Sequence, residues 1–319
     1  MLMINDTTII HAPTDLSEPM GLANRHLAGV VLLGGSVRPT RFHTAVGRSL
    51  LDLPYESGRT LLDEWCDQTA GLTARCGEGG GVSLRVLSDK AKNGDGEPGA
   101  NGQPRKISVK FDHDPSEWRG TGGVLRDIST AYAPDDLLVV ANAAQFLLRP
   151  LAELVAELDA LRADLAVLAH RDGTPSTLML VRCGCLKSLP ELGFLDMKEQ
   201  AIPLLAAAHD VRVVCVERPV TLGLRTARTY LAGLRGLHAA AHGGNGEDWR
   251  SAFAIVEEGA TVNARTRLHD SVVLRGGRVG EGAVLVRSVV CSGGTVPRNA
   301  VIVDQLISSE GQSSAEEGP

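Results

Sequence analysis

The sequence predicts an α/β protein: a mixed, mostly parallel sheet with helices on both faces, followed by a short β-helix. Three observations carry this. The aliphatic runs at Ala28 to Leu33 and Asp135 to Val140 lack polar alternation and stop at Gly34-Gly35 and Ala141-Asn142. Such runs are what a strand buried on both faces requires, as in a parallel sheet. Segments with helical patterning, such as Thr60 to Ala70 and Pro150 to Arg162, lie between the strand-like runs. Near the C-terminus, aliphatic or small residues recur at Val256, Val262, Leu268, Leu274, Val279, Leu285, Cys291, Val296 and Ile302. The steps are six residues, with five-residue steps into Val279 and Val296, and Gly259, Gly282 and Asn299 fall at matching turn positions. One inward aliphatic per six residues is the signature of a β-helix.

Taken in order, residues 1–26 form an N-terminal extension of mixed polarity, expected to pack along the main domain or to add a short edge strand. The strand to Leu33 leads into Gly34 and Gly35, then Arg38, Arg41 and Arg48, a basic loop in an acidic chain. Glycines there let a ligand approach the backbone, and the amides of such a turn can face phosphate oxygens. In open α/β sheets, ligands bind beyond the carboxyl ends of the strands. The loop is neither a P-loop, lacking Gly-Lys-Ser/Thr, nor a GxGxxG fingerprint. A bare Gly-Gly is equally the composition of a tight turn.

Thr60 to Ala70 reads as a helix and Val82 to Leu87 as a strand. Residues 88–105 collect Gly94, Gly96, Pro98, Gly99, Gly102 and Pro104, a composition that cannot bury a core and reads as a mobile surface loop. A substrate lid is its functional alternative. Lys106 to Phe111 is the next strand. Gly120-Thr121-Gly122-Gly123 then opens a helix reaching Tyr132. This is either an amide-rich anion or base site or an ordinary helix start. The strand from Asp135 ends at Asn142. A helix from Pro150 to Arg162 follows, with its proline in the first turn. Asp164 to Leu168 is a strand, and Thr177 to Val181 an antiparallel one. Asp196, Lys198 and Glu199 introduce a helix through Ala208. They are either cap and solvated face or a charged site. Val211 to Val216 is a strand, and Pro219 to Leu237 a turn and helix. Residues 238–251 read as a linker, 252–304 as the β-helix, and 305–319 as a polar tail, disordered from Ser308. Coils of a β-helix bury their aliphatics only by stacking, so a cap or a neighbouring subunit is expected, and with it a homo-oligomer.

Composition excludes several classes. A formal charge of −6 and a pI near 5.9 argue against nonspecific nucleic-acid binding, and 3% aromatics leave few rings for stacking on bases. The six cysteines form no CxxC pair, and Cys183 and Cys185, in or beside a strand, are expected on one face as free buried thiols. No apolar run reaches the ~18 residues of a membrane span. The expectation is a soluble cytoplasmic protein with no nucleic-acid or membrane partner.

The segments LLGG at Leu32 to Gly35, SLLDLP at Ser49 to Pro54, GTGGVL at Gly120 to Leu125, Asn142, and DMKEQ at Asp196 to Gln200 resemble, in order, those of the sugar-phosphate nucleotidyltransferases (NDP-sugar pyrophosphorylases). The C-terminal period is similar to the left-handed β-helix of hexapeptide proteins, which often follows such a domain. The resemblance implies a Rossmann-like nucleotidyltransferase-like domain over residues 27–237. It implies transfer of a nucleotidyl group from an NTP to a sugar 1-phosphate, giving NDP-sugar and pyrophosphate, with Mg2+. By the same resemblance Arg38 and Arg48 are catalytic, Arg48 standing for the family lysine. Gly34, Gly35, Gly120, Thr121, Gly122, Gly123 and Asn142 bind nucleotide, and Lys198 and Glu199 the sugar phosphate. The chain departs from the pattern at Val37, in place of the second loop glycine. It departs again at Ala144 and at Thr221/Leu222, where the family carries its two magnesium aspartates. Metal stabilisation is worth several kcal/mol. At about 1.4 kcal/mol per tenfold, its loss slows transfer roughly a thousandfold. Asp112, Asp114, Asp127 and Asp196 are the candidate substitutes. The alternative reading is a catalytically inactive relative that binds nucleotide or sugar nucleotide, or acts as a regulatory or assembly subunit.

Overall fold

The computed structural model describes residues 25–34, 39–56, 58–75, 81–88, 105–113, 115–171, 175–242 and 252–316. Most of the N-terminal extension, Gly35 to Arg38, and nearly all of the glycine-rich 88–105 stretch lie outside the described residues.

The N-terminal part is built from β1 (Leu27–Leu33), α1 (Arg41–Val46), a hairpin of β2 (Pro54–Glu56) and β3 (Arg59–Thr60), α2 (Leu61–Arg75), β4 (Ser83–Ser88), β5 (Val109–His113) and α3 (Ser116–Ser129). It continues with β6 (Leu137–Asn142), β7 (Gln145–Leu147), α4 (Leu151–Ala160), β8 (Leu165–His170), β9 (Pro175–Arg182), α5 (Cys183–Lys187), α6 (Ile202–Ala206), β10 (Val211–Val216), β11 (Thr221–Gly223) and α7 (Ala227–His242). Seven strands form one sheet in the order β10-β8-β9-β6-β1-β4-β5. Only β9 runs against its neighbours, β6 and β8. The aliphatic run of β1 is buried because it has helices on both sides. Val30 and Leu32 pack with α1, α2, α4 and α7, while Ala28 and Val31 pack with α3, α5 and α6. Pro150 stands at the N-cap of α4 rather than inside it, and α7 continues to His242, into the stretch read as linker.

In α7, Gly233 permits a close approach to β7: a Cβ there would lie 2.1 Å from the Phe146 ring. Phe146 stacks on Tyr230, whose hydroxyl donates to the Pro54 carbonyl at 2.6 Å. Cys183 and Cys185 lie in α5 rather than on a strand, both fully buried.

The C-terminal strands stack in parallel on three faces. The first face joins β12 (Ala254–Val256), β15 (Ser271–Val273), β18 (Val289–Val290) and β21 (Gln305–Ser308). The second joins β13 (Thr261–Val262), β16 (Arg278–Val279) and β19 (Thr295–Val296), and the third joins β14 (Arg267–His269), β17 (Val284–Val286) and β20 (Val301–Val303). Successive coils are offset by 17 residues, as in the bond from Ser288 N to Ser271 Oγ. Left-handed backbone marks each corner at that spacing: Gly259, Gly276 and Gly293; Arg265, Gly282 and Asn299; Asp270, Arg287 and Asp304.

This geometry corrects the expected phase. On the first face Val273, Val290 and Ile307 point into the coil, whereas Leu274 and Cys291 belong to the core of the α/β part. The five-residue step therefore falls into Val273 and Val290, one position before the residues the period selected. Both neighbours are apolar because this face is covered on both sides, so periodicity had no polar residue to fix the phase. The tail is also corrected. β22 (Gly311–Ser314) folds back antiparallel on β21, and the buried Ala315 accepts from Arg228 N of α7. Residues 308–316 are thus structured, because they close a sheet edge and dock on a helix; residues 317–319 lie outside the described residues.

Candidate functional site at the strand ends

The carboxyl ends of β1, β4 and β6 lie side by side, with Leu33 in register with Leu87 and Asn142. The helix α3 leaves the carboxyl end of β5, so Gly120 in its first turns stands on the same rim as Gly34. The two glycine-bearing turns thus come to one side of the sheet. Their amides, however, are committed. Gly34 N donates to Leu87 O at 2.8 Å, and a Cβ at Gly34 would lie 2.5 Å from that oxygen. Gly122 N and Gly123 N both donate to Leu195 O, at 2.9 and 3.3 Å, and Leu195 N donates back to Arg119 O at 2.8 Å. Gly120 adopts φ 67°, and a Cβ there would sit 2.3 Å from Leu195 O.

The Gly120 to Gly123 segment is therefore a docking groove for the chain at Gly193 to Met197, not an open ring of amides. Thr121 Oγ1 accepts from Met197 N at 3.1 Å. Arg119 fastens the same joint: its Nη1 donates to Gly193 O at 2.6 Å, while Nε and Nη2 hold Asp127 at 2.9 Å each. These bonds from Arg119 keep the Asp127 carboxyl below its ordinary range despite some burial. Asp196 caps the π-turn Met197–Ala201, accepting from Lys198 N and Glu199 N. Lys198 and Glu199 themselves are exposed on that turn, beside the glycine segment.

The other predicted residues divide. Gly35 and Arg38 lie outside the described residues. Arg48 is paired with Glu257 of the first C-terminal coil: its Nη2 lies 2.8 and 2.6 Å from the two carboxylate oxygens. Asn142 makes an Asx turn, its Oδ1 accepting from Ala144 N at 2.8 Å. The strand end is pinned from behind by Trp65, whose Nε1 donates to Ala143 O at 3.1 Å.

The segments where the resemblance puts two aspartates run side by side, although Ala144 stands opposite Leu224 rather than Thr221 or Leu222. β7 pairs antiparallel with β11, setting Leu222 against Phe146 and Gly223 against Gln145, and Leu224 N donates to Ala144 O at 2.9 Å. Ala144, Thr221 and Leu222 offer no carboxylate there. The candidate substitutes are engaged elsewhere: Asp112 with Arg85 at 2.8 Å, Asp127 with Arg119, and Asp196 as a cap. Asp114 lies outside the described residues. Among the described residues no group of three or more His, Cys, Asp or Glu side chains is placed to hold a metal ion. Among the described residues the donor set does not fit a carboxylate-held Mg2+.

Sequence reasoning missed Gln145. It is 3% exposed, and its side-chain amide lies 3.1 Å from Thr177 Oγ1, which itself donates to Ser176 O at 2.6 Å. Thr177 holds φ 61°, an unfavourable backbone for a β-branched residue. A separate cleft of about 310 Å³ lies between α7 and the β-helix, lined by Arg228, Arg235, Asp270, Arg287, Asp304 and Glu316.

The fold defines the class: an α/β protein with a mostly parallel sheet and a β-helix-like C-terminal region. No family model matches the chain, and no curated protein is similar to it in sequence. Among solved structures it is similar to the homologue of Mycobacterium tuberculosis rv0371c from Mycobacterium sp. strain JC1. That match has 20% identity and a TM-score of 0.40, over 65% of this chain and 94% of the other. It is also similar to HddC from Yersinia pseudotuberculosis, with 14% identity and a TM-score of 0.43, over 66% of this chain and 100% of the other. No helix among the described residues is long and apolar enough to cross a membrane.

Proposed function

We propose that this chain is a cytoplasmic nucleotidyltransferase-like protein that binds a nucleotide or sugar nucleotide at the strand-end rim without transferring it, its C-terminal coils forming a left-handed β-helix. The observation that carries this reading is the make-up of the two segments that pair at β7 and β11: Ala144 and Thr221/Leu222, the positions expected to hold magnesium, carry no carboxylate. Phosphoryl-type transfers rest on positioning and charge neutralisation. Without the ion, binding outlasts catalysis.

A second reading keeps the enzyme: transfer from an NTP to a sugar 1-phosphate. It is favoured by the side-by-side carboxyl ends of β1, β4 and β6, the place where ligands bind in open α/β sheets.

The test titrates the full chain with each nucleoside triphosphate and nucleotide-sugar by calorimetry. Pyrophosphate is followed in parallel, with Mg2+ or Mn2+ and a panel of hexose 1-phosphates. Saturable binding weakened by Gln145→Leu, without pyrophosphate, is the expected result. Pyrophosphate release dependent on the metal establishes the second reading. Binding of neither ligand class defeats both.

A further inference from the structure

We propose that the third β-helix face, formed by β14, β17 and β20, joins two copies of this chain about a two-fold axis parallel to the coil axis. The inference concerns a surface apart from the strand-end rim and does not depend on the ligand proposed there.

The three faces have different outer surfaces. The first carries Val272, Leu274, Val289, Cys291 and Leu306, all buried in the core of the α/β part. The second presents Thr261, Arg278 and Thr295, which are exposed and polar, as a solvated face should be. The third alternates inward Leu268, Leu285 and Ile302 with outward residues, and from the second coil onward all of these are valines: Val284, Val286, Val301 and Val303. Val301 is 69% and Val303 41% exposed. Valines suit a strand's pleat, but in water a polar residue serves the outer position better. Four on one flat face form a contiguous apolar patch rather than scattered singles.

The edges of the patch say what covers it. Along one corner run Arg265, Glu281 and Arg298, with Glu281 paired to Arg298 at 3.1 Å and to Arg265 at 3.9 Å. Along the other run Arg287 and Asp304, with Arg287 Nε and Nη2 each 2.6 Å from the Asp304 carboxylate, while Asp270 of the first coil is buried and paired with Arg235 of α7. At the second and third coils the signs are minus, plus on one edge and plus, minus on the other. A two-fold axis parallel to the coil lays each edge against the opposite edge of the partner at the same level. Glu281 then faces Arg287 of the partner subunit, and Arg298 faces Asp304 of the partner subunit. A two-fold axis perpendicular to the coil, through the second coil, lays each edge against its own copy in reverse, Glu281 on Glu281 of the partner subunit and Arg287 on Arg287 of the partner subunit. Like charges in apposition select against that arrangement. An isologous contact of this kind closes at two subunits.

The face is small. Three strands about 4.8 Å apart and three residues long cover a patch of about 10 by 15 Å, well under the ~800 Å² per partner of a standard interface. The dimer is accordingly weak and concentration-dependent.

Sedimentation velocity of the full chain, over roughly 1 µM to 1 mM to span a weak interface, is expected to show a monomer–dimer equilibrium. Val301→Lys/Val303→Lys raises its dissociation constant at least tenfold, with the circular dichroism spectrum and melting midpoint kept as controls for folding. Mixing Arg298→Cys with Asp304→Cys chains and a short bis-maleimide gives a cross-linked heterodimer. Mixing Arg298→Cys with Arg265→Cys does not. A monomer at every concentration, a dimer indifferent to the lysines, or cross-linking only in the second mixture overturns the proposal.

Discussion

Arg48 reaches across from the segment after α1 to Glu257 in the first β-helix coil, where its Nη2 lies 2.8 and 2.6 Å from the two carboxylate oxygens. Glu257 Oε2 also accepts from Arg275 N at 2.8 Å, so a second bond orients the carboxylate toward the arginine. Both side chains are half-buried. The pair is a mechanical joint between the α/β part and the β-helix, and the sequence alone offered Arg48 as a catalytic cation.

Arg48→Ala is therefore expected to lower stability by about 1–3 kcal/mol, the cost of leaving a hydrogen-bonded charge without its partner. Glu257→Gln is expected to do much the same. Denaturant titration measures the loss. Nucleotide binding by the folded variants should be unchanged. A variant of full stability that no longer binds returns Arg48 to the ligand site.

Gly120→Ala is expected to destabilise by more than 1 kcal/mol, because the added Cβ meets Leu195 O at 2.3 Å and the backbone is left-handed. The effect should appear as loss of order at Gly193 to Met197, read by limited proteolysis or hydrogen exchange. Unaltered protection there would show that the glycine segment does not hold that stretch.

The Arg119 bonds that hold Asp127 low give a pH dependence with a definite sign. A carboxyl depressed in the folded state contributes stability that is fully present above its unfolded value, about 3.9. That contribution is lost as pH falls through the lower folded value. The melting midpoint of the wild type should exceed that of Asp127→Asn at pH 7, with the gap closing below about pH 4. A gap that widens in acid would contradict the assignment.

Burial pushes the Cys66, Cys185 and Cys291 thiols up to about 12 and Cys183 to about 11. At pH 8 these four should resist a thiol reagent until the chain unfolds, whereas the half-buried Cys215 should react before them. Rapid native labelling of Cys183 or Cys185 would mean that α5 opens.

Legibility in the sequence followed the kind of signal each element carries. β1 and most of β6 stand out because a two-sided burial leaves no polar residue in the run. β10, an edge strand carrying Arg212, and β9, apolar only from Leu178 to Val181, are legible from shorter apolar stretches. The glycines of Gly120 to Gly123 were singled out correctly as a special backbone, but composition cannot tell an amide that waits for a phosphate from one that binds a neighbouring carbonyl. Leu195, seventy residues away and unremarkable in type, decides that. Gln145 is not legible because one glutamine after a strand has no pattern around it; only its burial marks it.

What the chain's letters settle by themselves is periodic or local: which runs are too apolar to face water, where the backbone must turn left-handed, that the coils repeat, and that no aspartate stands at position 144. What required the folded molecule is every question of partnership. The phase of the coils on their buried face, the commitment of the glycine amides, the capture of Arg48 by Glu257 and the ordered hairpin at the C-terminus all depend on contacts between residues far apart in sequence. Hydrogen bonds and apolar contacts act over a few ångströms, so only the path of the chain through space decides which of its many donors and faces are taken and which remain open.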